Sequence, residues 1–387
     1  MDIQTGANFS IRYFDFHPAP TTESVSSKTH GLIPVWGFGT VVNSTHPRIQ
    51  TGERVYGYLA PTRYLLVPVS PSDVNRYSFF VPRPHLPAGS VTSSLLLFKF
   101  DPCCPSDRRP YNQIIRCFSD PHYDPSPAIE DLTMLYRPLF WTSYWCEDWL
   151  FSSQYRGGKS FLISSASSKT AFCLAYLIGK RVARGELSNV QIVGLTSKKN
   201  LAFTKGLSLY DEVLDYDTFA SASSFAPNQG SNKWLYADVA GNDNLNDRVF
   251  AHFGSRLVAS ISLGLTNLSP SSADASSTKW STNTVTENPA ASSSASPTTF
   301  EQFFMPEWLA VRRRQLSIAQ ITSLQSQAWK DLMKDCGSWV KMVHVFGVEE
   351  VKTAYQNIAK SGLGPDRGLI WSMWEKWHGN NEPTSRL

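Results

Sequence analysis

The sequence lacks a strong excess of charge: across 387 residues, 36 Lys and Arg stand against 32 Asp and Glu, for a net charge of +4. The basic residues are scattered rather than gathered into a stripe, which excludes nucleic acid as the main partner. A mild excess of base still suits an anionic small ligand. No apolar run approaches the roughly 18 residues that a membrane span needs, so no membrane partner is expected. From Met1 to Pro20 there is no charged lead before an apolar core, so no secretory leader is read and a cytoplasmic location is expected. Cysteine is sparse. Cys103, Cys104, Cys117, Cys146, Cys173 and Cys336 fit neither a disulfide framework nor a zinc-binding CxxC pair. His17, His46 and His122 have no metal-ligand spacing, and no metal site is expected.

The length is enough for two domains. Residues 31–69 alternate β-branched or aromatic residues with turn residues and predict a small β-rich unit of several short strands. Residues 70–130 carry many prolines and read as irregular. Residues 131–152 have helical apolar spacing, broken or kinked at Pro138. From residue 159 apolar strands alternate with amphipathic helices, the helix over 169–184 closing with Lys180, Arg181 and Arg184 before Gly185. This alternation predicts an α/β fold with a doubly wound, Rossmann-type parallel sheet. Residues 218–232 and 266–299 are low-complexity, and the second stretch reads as a mobile insertion. Two helical stretches are expected near 315–342 and 346–376, the latter interrupted near Gly362 to Pro365. The expected division is residues 136–300 as the dinucleotide-binding domain, with 1–135 and 301–387 forming the other.

The most informative segment runs from Ser164 to Ala171, directly after a strand and directly before a helix. That position is the carboxyl edge of the sheet, where open α/β folds bind ligands. Small residues (Ser165, Ala166, Ser167, Ser168) let backbone approach a phosphate, and the N–H groups and dipole of the following helix attract the anion. Lys169 adds charge, and Ser167, Ser168 and Thr170 add hydroxyls. No glycine is present, so the usual GxGxxG warrant is missing; a polar helix cap with Ser168 at its N-cap explains the residues equally well. A Walker A loop is disfavoured because Ile163 and Ser168 stand where its glycines belong.

The second strand ends in Gly194, Leu195, Thr196, Ser197, Lys198, Lys199 and Asn200. A carboxylate that would hold the ribose of NAD is absent there, and hydroxyls with lysines stand in its place. The set suits a 2′-phosphate and favours NADP(H), although a solvated basic loop has the same composition.

These residues resemble the medium-chain dehydrogenase/reductase superfamily, especially its zinc-independent quinone-oxidoreductase and enoyl-reductase side. The resemblance is carried by Gly39, Thr40 and Val41 before Gly52, Glu53, Arg54 and Val55. Further landmarks are Leu207, Tyr210, Asp211, Val213, Asp215 and Tyr216, then the next two strands in order. It covers residues 31–69 and 132–266. An offshoot sharing VWGFG, RPLF, SSASSKTA and GLTS is closer still, and only a fold carries over from it. The resemblance implies a GroES-like β-rich domain, here starting late: a strand pair normally precedes the region matching Asn8. Trp36 to Gly39 replace the Gly-His-Glu zinc-ligand motif and the four-cysteine cluster is absent, which implies catalysis without a Lewis-acid metal.

By position the resemblance implies cofactor contacts at Thr142, Ser143, Ser165, Ala166, Ser167, Ser168, Lys169, Thr170, Thr196, Ser197, Lys198, Asn200 and Tyr216. It adds Ala240, Gly241, the run from Leu263 and Gly264 to Thr266, and Phe304 with Phe303 and Met305. For the catalytic proton it offers Tyr56, Tyr58, Tyr64 and Asn8, although a buried aromatic is more often core than catalyst. Asp238 ends a strand at the ligand edge, where capping the next turn is an equal role. The implied activity is NADP(H)-dependent, metal-independent reduction of an activated double bond or carbonyl in an apolar or aromatic small molecule; a homodimer is the expected assembly. Two alternatives stay open: a non-catalytic nucleotide-binding or scaffold protein, and a cofactor-independent lyase or cyclase.

Overall fold

A computed structural model describes residues 16–83, 111–225, 232–263, 300–303 and 305–375. In chain order its elements are β1 (Val35–Thr40), β2 (Arg54–Leu59), β3 (Ser78–Phe80), β4 (Gln113–Arg116), α1 (Pro127–Ser152), β5 (Ser160–Ile163), α2 (Lys169–Ala183), β6 (Gln191–Thr196), α3 (Leu201–Gly206), β7 (Glu212–Asp215), β8 (Trp234–Asp238), α4 (Asp243–Phe253), β9 (Leu257–Ser262), β10 (Phe300–Gln302), α5 (Met305–Gln315), α6 (Ile318–Asp335), β11 (Lys341–Phe346), α7 (Val348–Ser361) and β12 (Arg367–Ser372). They form two compact units, residues 1–135 with 322–387, and residues 136–321. No helix among the described residues is long and apolar enough to cross a membrane.

The unit of residues 136–321 holds a six-stranded sheet in the order β10-β9-β8-β5-β6-β7. Every neighbouring pair is parallel. Numbered from its own first strand the order is 3-2-1-4-5-6, the doubly wound dinucleotide-binding order. Both faces are covered, because side chains alternate along each strand. Phe161, Ile163, Leu235, Ala237, Ala259 and Ile261 pack with Trp145 and Trp149 of α1, Leu174 and Ile178 of α2 and Trp308 of α5. Leu162, Val193, Leu195, Trp234 and Tyr236 pack with Leu245, Val249 and Phe253 of α4 on the other face. The low-complexity stretch after residue 218 contributes to this second core, burying Phe219 and Phe225.

The other unit contains a four-stranded antiparallel sheet, β1-β2-β4-β3, and a separate parallel pair, β11 and β12. Two half-buried guanidinium–carboxylate pairs brace the first sheet: Arg116 on Glu53, and Arg54 on Glu130 at 2.5 Å.

Several expectations need correction. Pro138 does not break α1, which runs through it from Pro127 to Ser152. Pro127 begins that helix, where its missing N–H costs nothing. The expected helix over 315–342 ends at Asp335; the one expected over 346–376 stops at Ser361, at the interruption expected near Gly362, and does not resume beyond it. Residues 341–346 and 367–372 are instead strands, rich in β-branched and aromatic side chains that suit a pleated surface. The stretch 70–130 is not wholly irregular, since it supplies β3 and β4. Residues 301–321 pack with the parallel-sheet unit rather than the β-rich one. The cause is Trp308, 1 % exposed, whose indole donates to Asp148 on α1 at 2.7 Å. The insertion expected over 266–299 lies outside the described residues.

Candidate functional site

At the carboxyl end of β5 the chain leaves for α2 on one face of the sheet, and at the end of neighbouring β8 it leaves for α4 on the other. Diverging connections of this kind open the crevice in which doubly wound sheets bind ligands. Ser164, fully buried, ties the two strand ends together. Its hydroxyl donates to Asp238 Oδ1 at 2.8 Å and accepts the amides of Val239 and Ala240 at 2.9 and 3.0 Å. Asp238 Oδ1 also takes the amides of Ala240 and Gly241, both at 3.0 Å, while its Oδ2 accepts Asn246 Nδ2 at 2.9 Å. Tyr236 donates to Asn246 Oδ1 at 2.7 Å. Asp238 therefore caps the turn after β8, and the predicted contacts Ala240 and Gly241 lie on that turn.

Between β5 and α2 no side chain on the loop exceeds serine in size. Ser165 makes the tight turn that a glycine usually makes, with φ +50°. Its amide donates to Tyr216 Oη at 3.1 Å. Ala166 is fully buried; its amide donates to the Leu195 carbonyl at 2.9 Å, and its carbonyl accepts Tyr210 Oη at 2.9 Å. Burial pushes the phenols of Tyr210 and Tyr216 above their ordinary range, so both hold their protons. The close approach of loop to sheet depends on Gly194 in β6. A Cβ there would stand 2.8 Å from Ala166 Cβ and 3.0 Å from the Tyr210 ring. The glycine absent from the loop has its counterpart on the strand beneath it.

Ser168 is the N-cap of α2: its hydroxyl accepts the Ala171 amide at 3.4 Å, and its carbonyl accepts the Phe172 amide at 3.0 Å. Ser165, Ser168, Lys169 and Thr170 are half-buried, and thus reach solvent at the helix N-terminus. Ser167 is nearly buried and joins the loop to the end of β6. Its oxygen accepts Thr196 Oγ1 and Asn200 Nδ2, each at 3.1 Å, which leaves its own proton to donate. Ser197 is half-buried beyond Thr196, and Lys198 and Lys199 are exposed. Asp215, at the end of β7, holds the Thr218 hydroxyl at 2.5 Å and the amides of Asp217 and Thr218. The Thr218 bond is the main reason its carboxyl is held below the usual range, and the charge of Lys198 adds to it.

Thr142 and Ser143 lie on α1 with their hydroxyls directed to carbonyls: Thr142 to Pro138 at 3.0 Å, Ser143 to Leu139 at 3.1 Å and to Thr170 at 2.8 Å. The last contact fixes the first turn of α2 from behind. Leu263 is buried, with its amide on the Asp238 carbonyl at 2.9 Å. Gly264, Phe304 and Asn8 lie outside the described residues. Phe303 is buried, its ring 5.5 Å from that of Trp149. Tyr56 and Tyr64 belong to the β-rich unit. Tyr56 is 1 % exposed and stacked on Trp36, with ring centroids 5.6 Å apart, whereas Tyr64 is 62 % exposed and meets Trp374 edge-on.

Hydrogen bonds link the loop to the end of β6 and to Tyr216. Sequence reasoning named Ser164, Gly194 and Tyr210 without the roles they take here, and it missed Asn246. A lone glycine inside an apolar strand is the signal for Gly194, since it marks close approach of another backbone. The others have no local signal, because their partners lie 44 to 76 residues away or on a different element.

A family model described as "Protein of unknown function (DUF2855)" matches residues 4–364. No curated protein matches the chain. Among solved structures, CurA from Vibrio vulnificus is similar at 13 % identity and TM-score 0.46, over 91 % of this chain and 83 % of that one. The Bacillus subtilis protein yhfP, solved with NAD bound, is similar at 14 % identity and TM-score 0.42, over 88 % and 82 % of the two chains. E. coli K-12 YHDH, solved with NADPH bound, is similar at 13 % identity and TM-score 0.40, over 93 % and 90 %. The fold stands on this chain's own strand order.

Proposed function

The chain belongs to the DUF2855 family, and from the ligand edge of its parallel sheet we propose an NADP(H)-dependent, metal-independent oxidoreductase that reduces an activated C=C or C=O in an apolar small molecule. The observation that carries this reading is the glycine-free turn from Ser164 to Ser168 at the β5/β8 switch point, joined through Ser167 to Thr196 and Asn200. The site suits a dinucleotide: small side chains leave the loop backbone approachable, and α2 presents its N-terminus beside them. Ser165, Ser168, Lys169 and Thr170 would hold the pyrophosphate. Ser197, Lys198 and Asn200 would meet the adenosine ribose, and a lysine in place of an acid there favours a 2′-phosphate. When bound, the nicotinamide supplies a hydride; the protein's part is to fix the dinucleotide along the crevice with Ala240, Gly241 and Leu263 beside it. Metal independence rests on Trp36 to Gly39 occupying the place of a zinc-ligand motif.

One observation favours a second reading, a nucleotide-binding protein without turnover: the Ser165 amide, which a phosphate could use, is already taken by Tyr216. NADPH consumption measured across a panel of enones and quinones separates the two. The enzyme reading expects oxidation that depends on the added acceptor; binding without oxidation of NADPH by any acceptor contradicts it and leaves the second.

A further inference from the structure

In the β-rich unit the turn after β4 meets α6 through side chains that the dinucleotide site does not use. His122 Nε2 stands 3.4 Å from Ser326 Oγ, and its Nδ1 stands 3.3 Å from Asp120 Oδ1. The same Asp120 oxygen accepts the His122 amide at 3.1 Å, a short turn that fixes the imidazole over its own carboxylate. The imidazole and carboxylate are nearly buried, with side chains 9 % and 6 % exposed, while Ser326 is half-buried. A hydroxyl, an imidazole and a carboxylate in series form the relay that activates serine for acyl transfer, and such contacts are often long before substrate binds. Beside them Phe118 is 76 % exposed and meets Tyr123 edge-on at 5.9 Å, which leaves an apolar surface on the same turn.

We propose that Asp120, His122 and Ser326 form a second, hydrolytic site that takes small carboxylic esters with an apolar acyl group. Ser326 Oγ bonds to the ester carbonyl carbon and passes its proton to His122 Nε2. The ester C–O bond then breaks, and the imidazolium returns that proton to the departing alkoxide. Water reverses the sequence: it loses a proton to Nε2 as it attacks the acyl-serine, and Ser326 regains one as the carboxylic acid leaves. Asp120 keeps the Nδ1–H tautomer and offsets the imidazolium charge. No cofactor enters the cycle, so the site is independent of the dinucleotide crevice.

The test uses the folded full-length chain, a fluorophosphonate probe and peptide mass spectrometry. The expected result is an adduct on Ser326 in the native protein, absent after heat unfolding and absent in Ser326→Ala. In His122→Gln the labelling rate should fall by about 100-fold or more, the scale of a lost general base. Asp120→Asn, which keeps the turn but changes the tautomer, should also slow it. Circular dichroism on each variant confirms the fold. No adduct on Ser326 of the native chain, or a rate unchanged in both a folded His122→Gln and a folded Asp120→Asn, overturns the proposal.

Discussion

At Ser165 the backbone turns through φ +50°, a conformation that costs an L-residue roughly 1–2 kcal/mol. Glycine relieves that strain but gives back about 0.5–1 kcal/mol through the freedom of its unfolded chain. Ser165→Gly is therefore expected to leave stability unchanged or to raise it by up to about 1.5 kcal/mol in urea unfolding; a clear loss would contradict this account of the turn. Gly194 has the opposite outcome. Its substitution by alanine forces a Cβ to 2.8 Å from Ala166, and overpacking of this kind costs about 1–3 kcal/mol. The same unfolding measurement should show it, and a neutral Gly194→Ala would mean that the loop does not rest on β6. His252 provides a pH handle. Burial is the first cause, and Arg256 the second, that lowers its imidazole from 6.5. Rings of Phe219, Phe225 and Phe253 surround it. The unfolded chain protonates first as pH falls, so this stabilisation is complete above pH 6.5 and is lost as pH falls from there through the folded value. Melting temperatures at neutral and mildly acid pH should differ less in His252→Gln than in the wild type.

Between α1 and β5, Gln154, Tyr155 and Arg156 all have φ near +50°, followed by Gly157 at +75°. Three consecutive non-glycine residues in this region need outside support. Tyr155 donates to buried Glu147, and Arg156 pairs with Glu301 at 2.6 Å while lying 5.1 Å from the centre of the Trp149 ring. Arg156→Ala is expected to cost at least about 1 kcal/mol, since it strips the partner from a carboxylate whose pKa burial already raises. An unchanged chemical-denaturation midpoint would show that the turn holds itself. Nothing in the local sequence announces this turn, because its stabilising partners lie on α1 and β10. The core strands β5, β6 and β8 are legible for the opposite reason: each is a short apolar run between turn signals, buried on both faces. Strands β11 and β12 were hidden by flanking helical periodicity, which overran the boundary at Asp335 and was read as resuming after the break at Gly362. In the site, residues whose chemistry is local, such as the Ser168 cap and the hydroxyl–lysine run after β6, could be read directly. Ser164 and Tyr210, whose partners are distant in sequence, could not.

At the scale of the whole chain, the parallel sheet with its switch point is what makes a serine-rich turn a candidate ligand site; the same residues at another sheet edge would be only a helix cap. Two readings of Ser168 coexist for this reason, since it caps α2 and also stands at the crevice. Lys198 is exposed and its charge is partly offset by Asp215, so Lys198→Ala should weaken NADPH binding by a few-fold and leave NADH binding nearly unchanged. Equal losses for both nucleotides would remove the 2′-phosphate assignment. The central claim, that this glycine-free turn accepts a dinucleotide, is tested most directly by calorimetric titration of the full-length protein with NADPH. Saturable binding at one site, tighter than that of NADH, is the predicted result; no detectable binding of either nucleotide at millimolar concentration would contradict it.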